Sequence, residues 1–291
     1  MSPGSAAPPL LLDFAAAFHP ITDDLVGART IACLHHFRLA GAWRSAQRNQ
    51  GGGPAQPVRR TFAEQSAVRP RAREVVVSNV SLIHEDPHIL VLDKPEGLLA
   101  VPGKGPDKQD CLSTRAQARW PDALVVHRLD MATSGLVVMA RGIEAQRLLS
   151  LAFEERRVHK RYTAVVSGEL TNPQPDNGWN TIDLPLMADW PHRPMQKVDR
   201  EQGKPSITRW RIATQPSAPG TTRLELEPVT GRTHQLRVHL QALGHPMVGD
   251  ALYAAPDQLA MADRLLLHAH WLSLPHPLHG QTIEFHSPCP F

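Results

Sequence analysis

Residues 127–135 read His127-Arg128-Leu129-Asp130-Met131-Ala132-Thr133-Ser134-Gly135, which sets a carboxylate, an arginine and two hydroxyls within nine positions. An aspartate in such company can serve as nucleophile or base, or it can simply accept backbone N–H bonds in a turn. Its surroundings make it a candidate site. Apolar runs at 123–126 and 136–140 flank the stretch, and polar groups between two buried strands need partners or solvent. Three further stretches set reactive side chains among apolar neighbours: Lys160-Arg161-Tyr162, Gly231-Arg232-Thr233-His234-Gln235-Leu236-Arg237-Val238-His239, and Leu266-Leu267-His268-Ala269.

In this order, the four stretches resemble the motifs of the RluA family of pseudouridine synthases and cover roughly residues 80–291. The resemblance implies isomerisation of uridine to pseudouridine in structured RNA: the C1′–N1 bond breaks, the uracil turns, and C5 joins C1′. That chemistry is redox-neutral, so no cofactor and no metal are expected. Asp130 would be the catalytic carboxylate, either attacking C1′ or abstracting a sugar proton. Tyr162 would stack on the uracil and accept or relay the C5 proton. Arg232 would pair with Asp130 and orient it.

A uridine in folded RNA must first be extruded, and Arg128 would enter the space it leaves. His127, Thr133, Lys160, Arg161, Arg193, Lys197 and Arg237 complete the expected RNA contacts. Within the family, Asp183-Leu184-Pro185-Leu186, Asp189-Trp190-Pro191, Arg193-Pro194 and Gln196-Lys197-Val198 resemble the dual-specificity branch. This implies position 746 of 23S rRNA and position 32 of the tRNA anticodon loop as targets, with a sibling synthase acting on other rRNA uridines as the alternative.

Hydrophobic periodicity outlines the elements that must hold these groups. Alternating or apolar runs at 80–84, 88–93, 160–168, 207–213, 222–229, 264–274 and 282–285 read as strands, with Tyr162, Ala164 and Val166 on one face of theirs. Residues 143–157 read as an amphipathic helix with Ala145, Leu148, Leu149, Ala152 and Phe153 inward. A second helix, 233–243, turns Leu236, Leu240 and Leu243 inward and His234, Arg237 and Gln241 elsewhere. Prolines 185, 191 and 194 exclude regular structure around them. Helices and local strand pairs alternate without a βαβ rhythm, which predicts an α+β fold on a mixed, largely antiparallel central sheet with flanking helices. The resemblance adds a cleft across the sheet's middle.

The chain is 42% hydrophobic and 20% charged, as in ordinary globular proteins. No apolar run reaches the roughly 18 residues of a membrane span, and a cytoplasmic, monomeric protein without a membrane partner is expected. Cys33, Cys111 and Cys289 form no paired motif and read as free thiols. Residues 1–75 carry nine Arg against five Asp or Glu, a balance of +4 within a net +3. They read as a poorly structured basic extension ahead of a catalytic domain at 76–291, which must hold rRNA or tRNA through local patches. The glycine-rich stretches at 102–106 and 203–206 lack the order of a phosphate-binding loop, so nucleotide hydrolysis has no support. The sixteen histidines raise a metal-dependent hydrolase as a rival, but His234 and His239 are spaced poorly for one helical face, and His268 and His270 lack a nearby acidic third ligand. A non-catalytic RNA binder, the third possibility, would not need Asp130.

Overall fold

The computed structural model describes residues 76–77, 80–171, 173 and 178–291. The expected extension at 1–75 lies outside them. All described residues belong to the second of two units, Val68–Phe291. Among them, no helix is long and apolar enough to cross a membrane.

The chain forms β1 (Val76–Val77), β2 (Val80–Glu85), β3 (Ile89–Lys94), α1 (Leu112–Arg119), β4 (Ala123–Val125), β5 (Ser134–Arg141), α2 (Ile143–Glu154), β6 (His159–Ser167), β7 (Asn180–Asp183), β8 (Leu186–Ala188), β9 (Gln196–Val198), β10 (Ile207–Ile212), β11 (Thr221–Pro228), α3 (Gln235–Ala242), α4 (Pro256–Leu259), β12 (Leu267–Pro275) and β13 (Thr282–His286). One sheet runs β1-β2-β3-β5-β12-β6-β11-β10-β7, with β4 on β5 and β13 on β12. All its pairs are antiparallel except β5 with β12. The fold is therefore α+β on a mixed, largely antiparallel sheet.

Strand β5 explains why the layers form as they do. From Ser134 to Ala140 it is buried, and its residues alternate between two cores. Val137 and Met139 join Leu92, Tyr162, Ala164, Leu236 and Leu240. Leu136, Val138 and Ala140 join Ile89, Leu149, Ala152 and Leu272, under α2. A strand covered on both faces has to be apolar at successive positions, as 136–140 is.

Three sequence expectations are corrected here. Ser134 and Gly135 belong to β5, not to the turn before it. The proline-rich stretch contains a two-stranded hairpin, β8–β9, because three-residue strands fit between the prolines. Helix α3 is buried from Gln235 through Leu240, while Leu243 is exposed. It packs Leu236 and Leu240 on the sheet and Val238 against Leu186 and Tyr253, so the hairpin covers the face that an amphipathic helix would show to water.

Gly135 has φ 114, and a Cβ there would lie 2.4 Å from the Ala269 carbonyl oxygen on β12. The parallel β5–β12 junction needs glycine for both conformation and space. Gly135→Ala is expected to destabilise the fold by about 3 kcal/mol or more, read as a lower urea midpoint.

Candidate active site

A buried lysine holds the turn that runs from His127 to Thr133. Lys94 is fully buried at the end of β3, and its ammonium donates to the carbonyls of Pro95 (2.8 Å), Leu98 (2.8 Å) and Met131 (3.1 Å). Burial lowers its pKa to about 8, partly offset by the charge of Asp130. The Gly97 N–H also donates to the Met131 carbonyl, and the Thr133 N–H donates to that of Asp130. The backbone that follows Asp130 is thereby fixed. Beyond it, Arg264 donates to the Ser134 hydroxyl (2.6 Å), which lies 2.9 Å from His268 Nδ1. His268 Nε2 meets Ser287 (3.1 Å), whose hydroxyl donates to Asp93 (2.6 Å).

Asp130 opens into a cleft of about 820 Å³. Arg237 Nη1 stands 3.6 Å from its carboxylate and His234 Nε2 3.9 Å. Arg237 is itself clamped by Asp250, with Nε and Nη2 donating at 2.8 and 2.6 Å. Burial works against the charge of Arg237, but the hydrogen bonds and charge of Asp250, with help from Asp130, outweigh it and raise its pKa. Arg232, expected in this role, is exposed and turns its Nε toward the Pro205 carbonyl at 3.4 Å. It lines the cleft without pairing with Asp130. The correction follows from helix geometry: Arg232 precedes α3, whereas Arg237 lies within its buried turns.

His234 enters α3 with φ 53. The Gln196 N–H donates to the Tyr253 hydroxyl (2.8 Å), which lies 2.7 Å from His234 Nδ1. With that oxygen already accepting, we assign the hydroxyl proton to the Nδ1 bond, which leaves Nε2–H toward Asp130. Burial holds the imidazole pKa below its ordinary value despite Asp130.

Tyr162 forms the floor beside Asp130. It is buried, and burial together with the Asp130 charge pushes its phenol well above the ordinary range. The phenol stays protonated, so its ring and its hydroxyl are both available to a bound base. Arg128 is exposed at the rim and makes no ion pair among the described residues. Thr133 is buried in the cleft wall.

Other expected RNA contacts sit differently. His127 accepts the Val138 N–H (3.0 Å), stacks on Phe153 at 4.8 Å, and is held neutral by burial, with a pKa of about 3. It supports the fold, although one edge lines the cleft. Arg161 lies on the face of β6 opposite Tyr162, 4.7 Å over Trp271 and 3.6 Å from Glu225 and Glu227. Lys160 lines the cleft. Arg193 lies 3.5 Å over the exposed Trp190 ring, and Lys197 is 3.8 Å from Asp199, both on the β8–β9 hairpin outside the cleft lining.

Among the described residues no three His, Cys, Asp or Glu side chains are grouped to hold a metal ion. His239, for one, is engaged with the Thr208 hydroxyl and the Leu184 carbonyl. Asp250, Tyr253 and Lys94 were missed from sequence. The available signal was Arg237 itself, flanked by Leu236 and Val238 in a helix, where an arginine must be paired if buried.

Residues 88–242 match the model of the RNA pseudouridylate synthase family. The chain belongs to that family. The dual-specificity RNA pseudouridine synthase RluA of Escherichia coli strain K12 is 48% identical over 210 residues, 72% of this chain and 93% of that protein. Its namesake in Yersinia pestis is 48% identical over 70% of this chain and 96% of its own length. Human RNA pseudouridylate synthase domain containing 1 aligns with TM-score 0.61 at 30% identity, covering 75% of this chain and 86% of its own. As a family member, the chain is an RNA pseudouridine synthase, an isomerase of uridine in RNA.

Two outcomes follow from this geometry. Asp250→Ala should cost about 3–5 kcal/mol in urea unfolding by stranding the Arg237 charge, and adding Arg237→Met should recover most of it. His127, His234, His239, His268 and His270 all have lowered pKa values. Their folded forms refuse protons that the unfolded chain takes up below about pH 6.5. Their effect on stability should be flat above that pH and fall below it, by up to about 1.4 kcal/mol per pH unit per histidine, measured by urea titration at pH 7.5 and 5.

Proposed function

We propose that this enzyme converts uridines in two kinds of RNA, position 746 of 23S rRNA and position 32 of the tRNA anticodon loop, as a cytoplasmic monomer without a cofactor. The dual specificity named for relatives 48% identical to it supports two substrates, and the resemblance of residues 183–198 to that branch supports the positions. One observation carries the site assignment: Asp130 opens into the cleft against a buried arginine that a second carboxylate holds in place.

Asp130 acts at the sugar, by attack on C1′ or by removing a sugar proton. Arg237 orients it and offsets its charge. Tyr162 supplies the surface on which detached uracil is kept, and its protonated phenol can pass a proton but is a poor base until it loses its own. Arg128, unpaired at the rim, fills the gap left by the extruded base. Arg193 and Lys197 meet backbone phosphates from the hairpin.

Asp130→Asn is expected to lower conversion of a tRNA anticodon stem-loop by about 10³-fold or more at nearly unchanged RNA affinity. Arg237→Met should follow it closely, and Arg232→Met should stay within about tenfold of the parent. Equal losses in the two arginine variants would overturn the assignment.

A further inference from the structure

We propose that Tyr253 locks the imidazole of His234 in the tautomer whose Nε2–H faces Asp130, so that the two act as positioning residues: they hold one oxygen of the carboxylate and leave the other for the ribose. This rests on the reading of Asp130 as the reacting carboxylate and deepens it, by adding two groups to the aspartate, arginine and tyrosine already assigned.

The two partners of Asp130 approach the same oxygen. Arg237 Nη1 lies 3.6 Å from Oδ2 and His234 Nε2 3.9 Å from it. Among the described residues, Oδ1 has neither an ion pair nor a hydrogen bond. A carboxylate held by one oxygen presents the other, which suits attack on C1′ or removal of a sugar proton. Arg237 cannot change what it presents, because every guanidinium nitrogen donates. His234 can. A neutral imidazole carries one proton, and the nitrogen that holds it decides whether Asp130 meets an N–H or a lone pair.

That choice is made at the far nitrogen of the ring. His234 Nδ1 lies 2.7 Å from the Tyr253 hydroxyl, and the Gln196 N–H of the β8–β9 hairpin donates to the same oxygen at 2.8 Å. Burial pushes the phenol up to about 12, so Tyr253 keeps its proton, and burial holds the imidazole pKa below its ordinary value, so His234 stays neutral. With its oxygen occupied, the phenol gives its proton to Nδ1, and the imidazole proton stays on Nε2. The opposite tautomer would put two N–H groups on one oxygen, strand the phenol proton and turn a lone pair toward Oδ2.

The ring is held in place to act this way. His234 enters α3 with φ 53, its side chain is 9% exposed, and it meets the Tyr253 ring edge-on at 5.6 Å. Arg237 lies over the same tyrosine ring, 5.0 Å from its centre. One buried side chain thus touches both groups that face Asp130, from outside the cleft lining. A group that fixes an imidazole tautomer from behind acts on rate more than on binding.

The test uses the full chain. Heteronuclear NMR of the histidine-labelled parent at neutral pH, without RNA, should show the Nε2–H pattern for His234, assigned by its loss in His234→Gln. Tyr253→Phe should show mixed tautomers. It should lower the single-turnover rate on a tRNA anticodon stem-loop about tenfold, with the RNA dissociation constant within about twofold of the parent's. Glutamine offers an amide N–H without a tautomer to choose, so His234→Gln should stay within about threefold of the parent, whereas His234→Leu should lose as much as Tyr253→Phe. Adding Tyr253→Phe to His234→Gln should cost no more than about twofold further. An Nδ1–H or doubly protonated ring in the parent, an unchanged rate in Tyr253→Phe, weaker RNA binding in place of a slower rate, or a full second loss in the glutamine background would each overturn the proposal. Should Tyr253→Phe not fold, the parent's tautomer and the contrast between His234→Gln and His234→Leu decide. The tautomer is read with no RNA present, so a parent that shows Nε2–H yet converts nothing counts for the lock and against the proposed targets.

Discussion

One guanidinium holds the site together. Arg237 donates two hydrogen bonds to Asp250 and turns its remaining nitrogen to Asp130. A buried arginine beside a single carboxylate could rotate about that pairing; one clamped along its Nε edge cannot. The position of the cation opposite Asp130 is therefore set by Asp250, from a turn outside the cleft lining. The same turn carries Tyr253, whose hydroxyl reaches both His234 and the backbone of the β8–β9 hairpin.

Asp130 needs the complementary constraint, which comes from the other side of the cleft. Lys94 and the Gly97 N–H hold the Met131 carbonyl, and the Ser134–His268–Ser287–Asp93 chain ties the start of β5 to the C-terminal strands. Buried polar groups in this protein are mostly satisfied in this way, as low dielectric demands. Among the described residues, the Nε atoms of Arg161 and Arg223 depart from the pattern.

Much of the fold was legible because burial leaves periodic traces. The apolar run at 136–140 marked a central strand, and the alternation of Tyr162, Ala164 and Val166 marked the face of β6 that lines the core. The errors arose where an element's second face is covered by something distant in sequence. Helix α3 reads as amphipathic from its leucines, yet the β8–β9 hairpin buries its polar side as well. The hairpin was hidden because its strands are three residues long and fenced by prolines.

Through its resemblance to a known family, the sequence indicated the chemistry: a carboxylate, a phenol and basic groups in the order of enzymes that work on a ribose and its base. It could not say which of two arginines five residues apart would meet Asp130, nor that Arg161 and Tyr162, adjacent in the chain, would face opposite sides of the sheet to different ends. Those choices rest on long-range packing. Side-chain direction follows local backbone geometry, but the partner waiting in that direction is supplied by whichever segment the fold lays alongside.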